Sequence, residues 1–251
     1  MTIPANIFQT HKSMNYIASK PRIQAAVNSW MSYSTQFNYH FYTDDMCEAF
    51  IKENFSGDVY AAYMRCPLAV MKADLWRYCV IYHFGGIYAD TDTLCKGDPT
   101  IFIQGNAQLL IVPENKTHLC QWVFAAPKGS PILKSIIDLA VKRLLEIPKI
   151  KGEHIVHFLT GPGVFTDGIE SYLQKNNLPV FVDKNKYVNY PDPVLFVFNN
   201  AFHSTTVVHL FSGQDNDGWT RERDEQLIER HTQSVGRSAN SRFMIKLFRN
   251  K

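Results

Sequence analysis

The sequence predicts an α/β domain with a mainly parallel sheet flanked by helices, and three observations carry that expectation. Short apolar or alternating segments of strand length follow one another in turn with segments of helical periodicity, the order that crossover-connected parallel strands require. The chain has 251 residues, 45% hydrophobic and 20% charged, which is ordinary for a globular protein and enough for one sizeable core. No internal repeat, low-complexity block or linker-like stretch breaks it, so residues 1–251 read as a single domain.

Ile3 to Phe8 is a short apolar run ending at Gln9-Thr10, read as a first buried strand. Arg22 to Ser34 places Ile23, Ala26, Val27 and Trp30 at helical spacing, and Tyr39 to Tyr42 reads as a second strand. Thr43 caps a helix that opens on Asp44-Asp45, where acids favour the positive end of the helix, and that continues through Met46 to Phe55. Pro67 to Phe84 is the longest helical segment, with Ala69, Ala73, Trp76 and Val80 as its core-facing stripe and Gly85 as a left-handed C-cap. Leu109 to Val112 and Trp122 to Ala126 read as strands, and Pro131 to Glu146 as a helix with proline at its start. Thr160-Gly161-Pro162-Gly163 is a tight turn leading into a helix to Gln174. Val180 to Val182, Val194 to Phe198 and Thr206 to His209 complete the prediction as short strands.

The densest chemistry lies in Asp74, Arg77 and the run Phe84-Gly85-Gly86-Ile87-Tyr88-Ala89-Asp90-Thr91-Asp92. Asp90 and Asp92, spaced i, i+2 on an extended backbone, point the same way because strand side chains alternate faces. Two like charges that close are costly without a cation beside them, and oxygen ligands suit a hard divalent ion such as Mg²⁺ or Mn²⁺. Such an ion commonly accompanies phosphates. Asp74 and Arg77, at i, i+3, can pair on one helix face.

Asp74-x-x-Arg77-Tyr78 followed by Gly85-Gly86-Ile87-Tyr88-x-Asp90-Thr91-Asp92 resembles the signature of glycosyltransferase family 32, the DXD sugar transferases. The resemblance implies a GT-A type, Rossmann-like nucleotide-sugar fold. It implies a metal-dependent, retaining transferase moving a hexose from a UDP or GDP sugar to a hydroxyl acceptor on a glycan or polysaccharide. It also implies roles for particular residues. Asp92 would coordinate the metal, and Asp90 the metal shell or the ribose. Asp74 would accept from sugar hydroxyls, and Arg77 would donate to sugar or phosphate oxygens. Tyr88, two before Asp90, joins the expected site. Ile7-Phe8-Gln9-Thr10-His11-Lys12 resembles the family's first strand, which places Gln9 and Thr10 at the nucleotide. Phe8 stands there for a common His, and His11 for a common Trp that would stack on the base. Gly161, in the T-G-P turn, is expected at the ligand by close backbone approach. His209 is expected as a further metal ligand and Trp219 as a cover over the phosphates, with Asp215 and Asp217 as rival ligands. A catalytically idle sugar-nucleotide or glycan-binding module and a nucleotide-sugar hydrolase are the competing expectations.

The remaining features are bland. A net charge of +3 does not argue for nucleic acid. The five cysteines, Cys47, Cys66, Cys79, Cys95 and Cys120, have no metal-ligand spacing and read as buried, reduced thiols in a cytoplasmic protein. No leader-like or membrane-spanning stretch is visible, which is expected of a soluble enzyme. Glu153, His154 and His157 do not form a metal-binding helix motif and read as a surface face. Segment 230–251 interleaves basic and apolar residues, and peripheral membrane contact through it is a further expectation.

Overall fold

The structure is a computed structural model and describes residues 2–55, 57–152, 154–199 and 201–211. Met1–Leu210 forms one compact unit. Segment 230–251, Trp219, Asp215 and Asp217 lie outside the described residues.

The first half runs β1 (Asn6–Thr10), α1 (Met14–Ala18), α2 (Pro21–Met31), β2 (Asn38–Tyr42), α3 (Asp44–Asn54), α4 (Gly57–Arg65), α5 (Ala69–Phe84), β3 (Gly86–Ala89) and β4 (Thr93–Cys95). The second runs β5 (Leu109–Ile111), β6 (Val123–Ala126), α6 (Pro131–Glu146), α7 (Ile155–Leu159), α8 (Pro162–Lys175), β7 (Leu195–Val197), α9 (Phe202–Thr205) and β8 (Val207–His209). Thr43 caps α3 by accepting from the Met46 amide, and Ser130 caps α6 by accepting from Leu133.

Six strands form one mixed sheet in the order β2-β1-β3-β6-β5-β7. The pairs β1/β2, β1/β3 and β5/β7 run parallel, and β6 is antiparallel to both its neighbours. The expected mainly parallel mixed sheet is therefore present. A separate ribbon pairs β4 with β8 in antiparallel register, Thr93 opposite His209.

Strand alternation sorts the core into two layers. Ile7, Ile87, Ala89, Val123 and Ala125 face one side, where Trp30 of α2, Phe102, Phe198 and Val207 complete a cluster. Phe8, Tyr88 and Phe124 face the other, beneath α5: Phe8 stacks on Phe84, and Tyr88 meets the Trp76 ring edge-on. All five cysteines are free and buried.

Several expectations change. α5 is buried almost all round, from Met71 through Leu75, Trp76, Cys79 and Ile81, because helices cover the side away from the sheet. Its proposed stripe fails at Ala69, which is exposed at the first turn. A helix enclosed on all sides needs no polar face, so periodicity cannot locate one. Gly85 caps α5 with φ +71° but ψ 163°, an extended turn rather than a left-handed helical cap. Val180 to Val182 forms no strand, and Val182 is exposed. α4 and β4 were not expected from the sequence. Among the described residues no helix is long and apolar enough to cross a membrane.

Candidate active site

The site sits where β1 and β3, parallel neighbours, end together, the position at which open α/β sheets bind ligands. Asp90 follows β3, Asp92 precedes β4, and Thr91 lies in the turn between them. The acids therefore share a tight turn rather than an extended strand, which corrects the strand-alternation argument. The turn keeps them together through its own bonds. Both the amide and the hydroxyl of Thr93 donate to the Asp90 carbonyl, at 3.0 and 2.5 Å, and the Leu210 amide donates to the Asp92 carbonyl at 2.8 Å.

That last bond belongs to the β4/β8 ribbon, which brings His209 over the turn. The imidazole Nε2 lies 3.4 Å from Asp92 Oδ1 and 3.8 Å from Asp90 Oδ2. One ligand atom from each of Asp90, Asp92 and His209 falls within 4.8 Å of the others. Burial pulls the His209 pKa down, but the hydrogen bond that the imidazole donates to Asp90 and the charges of Asp92, Asp90 and Glu114 outweigh it and raise the value. Burial pushes Asp90 up, yet Arg77, His209 and the Tyr88 hydroxyl together hold its carboxyl below the usual range. Two carboxylates and one imidazole, partly open to solvent, fit a divalent cation of borderline hardness such as Mn²⁺; Mg²⁺ favours an all-oxygen set more strongly.

Beside this cluster, α5 presents Asp74, Arg77 and Tyr78 at i, i+3 and i+4, hence on one face. Arg77 Nη2 bridges Asp74 Oδ1 at 2.8 Å and Asp90 Oδ1 at 3.2 Å, and its guanidinium lies over the Tyr88 ring. Burial opposes the charge on Arg77, but Asp90, Tyr88 and Asp74 raise its pKa and keep it a cation. Its Nε is buried and has no hydrogen-bond partner among the described residues. Asp74 is 1% exposed and receives Gln121 Nε2 on Oδ1 at 3.2 Å and Thr160 Oγ1 on Oδ2 at 3.0 Å. Burial pushes its carboxyl up to about 7, against the pull of Arg77.

The structure thus brings Asp74, Arg77, Tyr88, Asp90, Asp92 and His209 into one constellation. Tyr88 donates its hydroxyl to Asp90 Oδ1. Gln9 reaches the same place from beneath: its Nε2 donates to the Asp90 carbonyl at 3.1 Å, while Tyr39 donates to its Oε1 at 2.9 Å. One end of this buried amide thus supports the turn, and Tyr39 anchors the other. Thr10 donates to the Tyr42 carbonyl and contacts Cys47 Sγ, so its hydroxyl serves the β1/β2 edge. Gly161 packs against its own chain: a Cβ there would lie 3.0 Å from His157 Cα and 3.1 Å from the Val156 carbonyl. What the T-G-P turn delivers to the site is the Thr160 side chain.

Gln121, Trp122, Tyr78 and Thr160 were not singled out from the sequence as site residues. Tyr78 and Thr160 stand inside motifs that were, and nothing local marks Gln121, whose side-chain partners lie in α5.

The chain is similar in sequence and in fold to known proteins. Residues 20–109 match the family model of the glycosyltransferase sugar-binding region containing DXD motif. The chain is 26% identical over 233 residues to the initiation-specific alpha-1,6-mannosyltransferase of Candida albicans, covering 77% of this chain and 60% of that protein. It is 27% identical over 245 residues to the protein of that name in Schizosaccharomyces pombe, covering 86% and 60%. In both cases the chain spans 60% of the relative's own length. Among solved structures, the PaToxG glycosyltransferase superposes with a TM-score of 0.50 at 18% identity over 69% of this chain and 70% of that one, a likeness of fold. The matched segment contains Asp74, Arg77, Asp90 and Asp92, and over it this chain is similar to glycosyltransferases with a DXD-containing sugar-binding region.

Proposed function

We propose that the protein is a metal-dependent, retaining glycosyltransferase that moves a hexose from a nucleotide-diphosphate sugar to a hydroxyl of a glycan acceptor. Mannose is the first sugar to test, since the curated relatives described above are mannosyltransferases. The observation that carries the reading is the convergence of Asp90, Asp92 and His209 within 4.8 Å of one another beside the Arg77 guanidinium. Retention of configuration rests on the family resemblance.

Asp90, Asp92 and His209 would hold the divalent ion, which supplies Lewis-acid neutralisation of a departing diphosphate. The chain's own contribution is preorganisation. Arg77 is locked by two carboxylates and a tyrosine ring before any ligand arrives, so its charge requires no reorientation when a leaving group develops negative charge nearby. Asp74, pinned from two sides, holds that guanidinium in place. Gln9 and Thr93 hold the backbone of the acid turn, which preserves the spacing of its carboxylates.

A thermal-shift panel tests the proposal, with GDP, UDP, GDP-mannose and UDP-hexoses, with and without Mn²⁺, on the wild type and Asp92→Ala. A ligand at about a hundred times its Kd adds roughly 2.7 kcal/mol to the folded state. Stabilisation by one nucleotide class that requires Mn²⁺ and vanishes in Asp92→Ala is the expected outcome. No stabilisation by any nucleotide under any metal condition would refute the donor site and bring the glycan-binding module forward.

A further inference from the structure

The polar groups of the site come from α5, the β3–β4 turn and β8, and the dipeptide preceding β6 touches all three. Gln121 Nε2 donates to Asp74 Oδ1 at 3.2 Å, and the Gln121 carbonyl accepts from Arg77 Nη1 at 3.3 Å. The Trp122 carbonyl accepts the Asp90 amide at 2.8 Å, and the Trp122 ring packs on His209 with centroids 4.9 Å apart. Both residues are buried, at 8% and 7% exposure. Each is itself anchored. Gln121 Oε1 accepts the Tyr78 hydroxyl. The Trp122 ring lies 5.1 Å from the ring of His203, whose Nε2 lies 3.0 Å from the Pro113 carbonyl.

We infer that Gln121 and Trp122 are positioning residues that hold the Asp74–Arg77 pair in register with the Asp90–Asp92–His209 cluster. The inference rests on the donor-site reading proposed above. The chemistry of the two side chains carries it. An amide offers a donor to a carboxylate and an acceptor to a phenol at once, which Glu, Met or Leu cannot do here. The indole supplies a flat, immobile wall for an imidazole ring whose Nε2 must point at two carboxylates. Neighbours that orient a metal ligand in this way commonly change metal affinity by roughly 10- to 100-fold when removed. Because the two residues are consecutive, a single peptide unit joins the contacts made to α5 with those made to the acid turn and β8.

The test uses the full chain and two probes, Mn²⁺ alone and GDP-mannose with Mn²⁺, followed by titration calorimetry, with unfolding temperatures recorded for every variant. Trp122→Ala should weaken Mn²⁺ binding roughly 10-fold or more, and Trp122→Phe should restore it. Trp122→Leu replaces Trp122→Ala if the latter does not fold. Gln121→Met should bind Mn²⁺ as the wild type does but lose affinity for GDP-mannose, and Asp74→Asn added to it should cost less than the sum of the two single losses. Unchanged Mn²⁺ affinity in folded Trp122→Ala, or fully additive losses for Gln121→Met and Asp74→Asn, overturns the inference alone. A wild type that binds neither Mn²⁺ nor any nucleotide overturns the donor-site reading, and this inference with it.

Discussion

Asp74 receives protein donors on both carboxylate oxygens and has almost no contact with solvent. Burial raises its pKa from 3.8 to about 7 despite Arg77, so the folded protein holds a proton there that the unfolded chain releases between those values. Stability therefore falls as pH rises from about 4 to about 7, and the contribution is constant outside that window. Asp90, shifted the other way, loses its stabilising contribution as pH falls through its lowered pKa, a loss that an Asp74 variant shares with the wild type. Comparing unfolding temperatures of the wild type and Asp74→Asn across pH isolates the first effect. The difference should move in favour of Asp74→Asn as pH increases through the window, and a flat difference would show that Asp74 does not titrate there.

β3 is short, and it can lie against β1 only because its first residue has no side chain. Gly86 has φ +126°, and a Cβ there would lie 2.7 Å from the Asn6 carbonyl oxygen and 2.8 Å from Asn6 Cβ. Gly85 before it has φ +71°, with the Lys128 amide nitrogen 2.6 Å from any added Cβ. The pair turns the chain out of α5 and into the centre of the sheet in two residues, which sets the distance between Arg77 on the helix and Asp90 after the strand. Gly86→Ala combines backbone strain with a clash against β1 and should destabilise by roughly 2–5 kcal/mol. In urea this appears as a lower midpoint at unchanged slope. A midpoint equal to that of the wild type would mean that β1 and β3 separate easily, contrary to the packing described.

α5 is the structural centre of the fold, enclosed by β1, β3 and β6 on one side and by α3, α4, α6 and α7 on the others. Its amides should be the slowest to exchange with solvent deuterium, since opening them requires most of the surrounding core to separate. Exchange of α5 as fast as that of α2, whose outer face is solvated, would contradict this arrangement. The same centrality gives the site rigid support, because Asp74, Arg77 and Tyr78 project from the most enclosed element of the fold.

Neighbours along the chain made much of this legible. The cap at Thr43, the proline opening α6, the glycine pair, the strand before Asp90 and the Asp74–Arg77 spacing act over a few residues, so the linear order of side chains displays them. The acid pair was recognised for the same reason, although its backbone is a turn and not a strand. The face of α5 was not legible, because burial on every side erases amphipathic contrast. Nor were the contacts that Gln9, Thr10 and Gly161 make, each with a partner inside the fold. Gln121 lies 47 residues from Asp74, and Thr160 lies 86 residues from it. Sheet order and the β4/β8 ribbon decide such pairings, together with the seating of His209 over the acids, because a hydrogen bond across the fold leaves no periodicity in the chain that makes it.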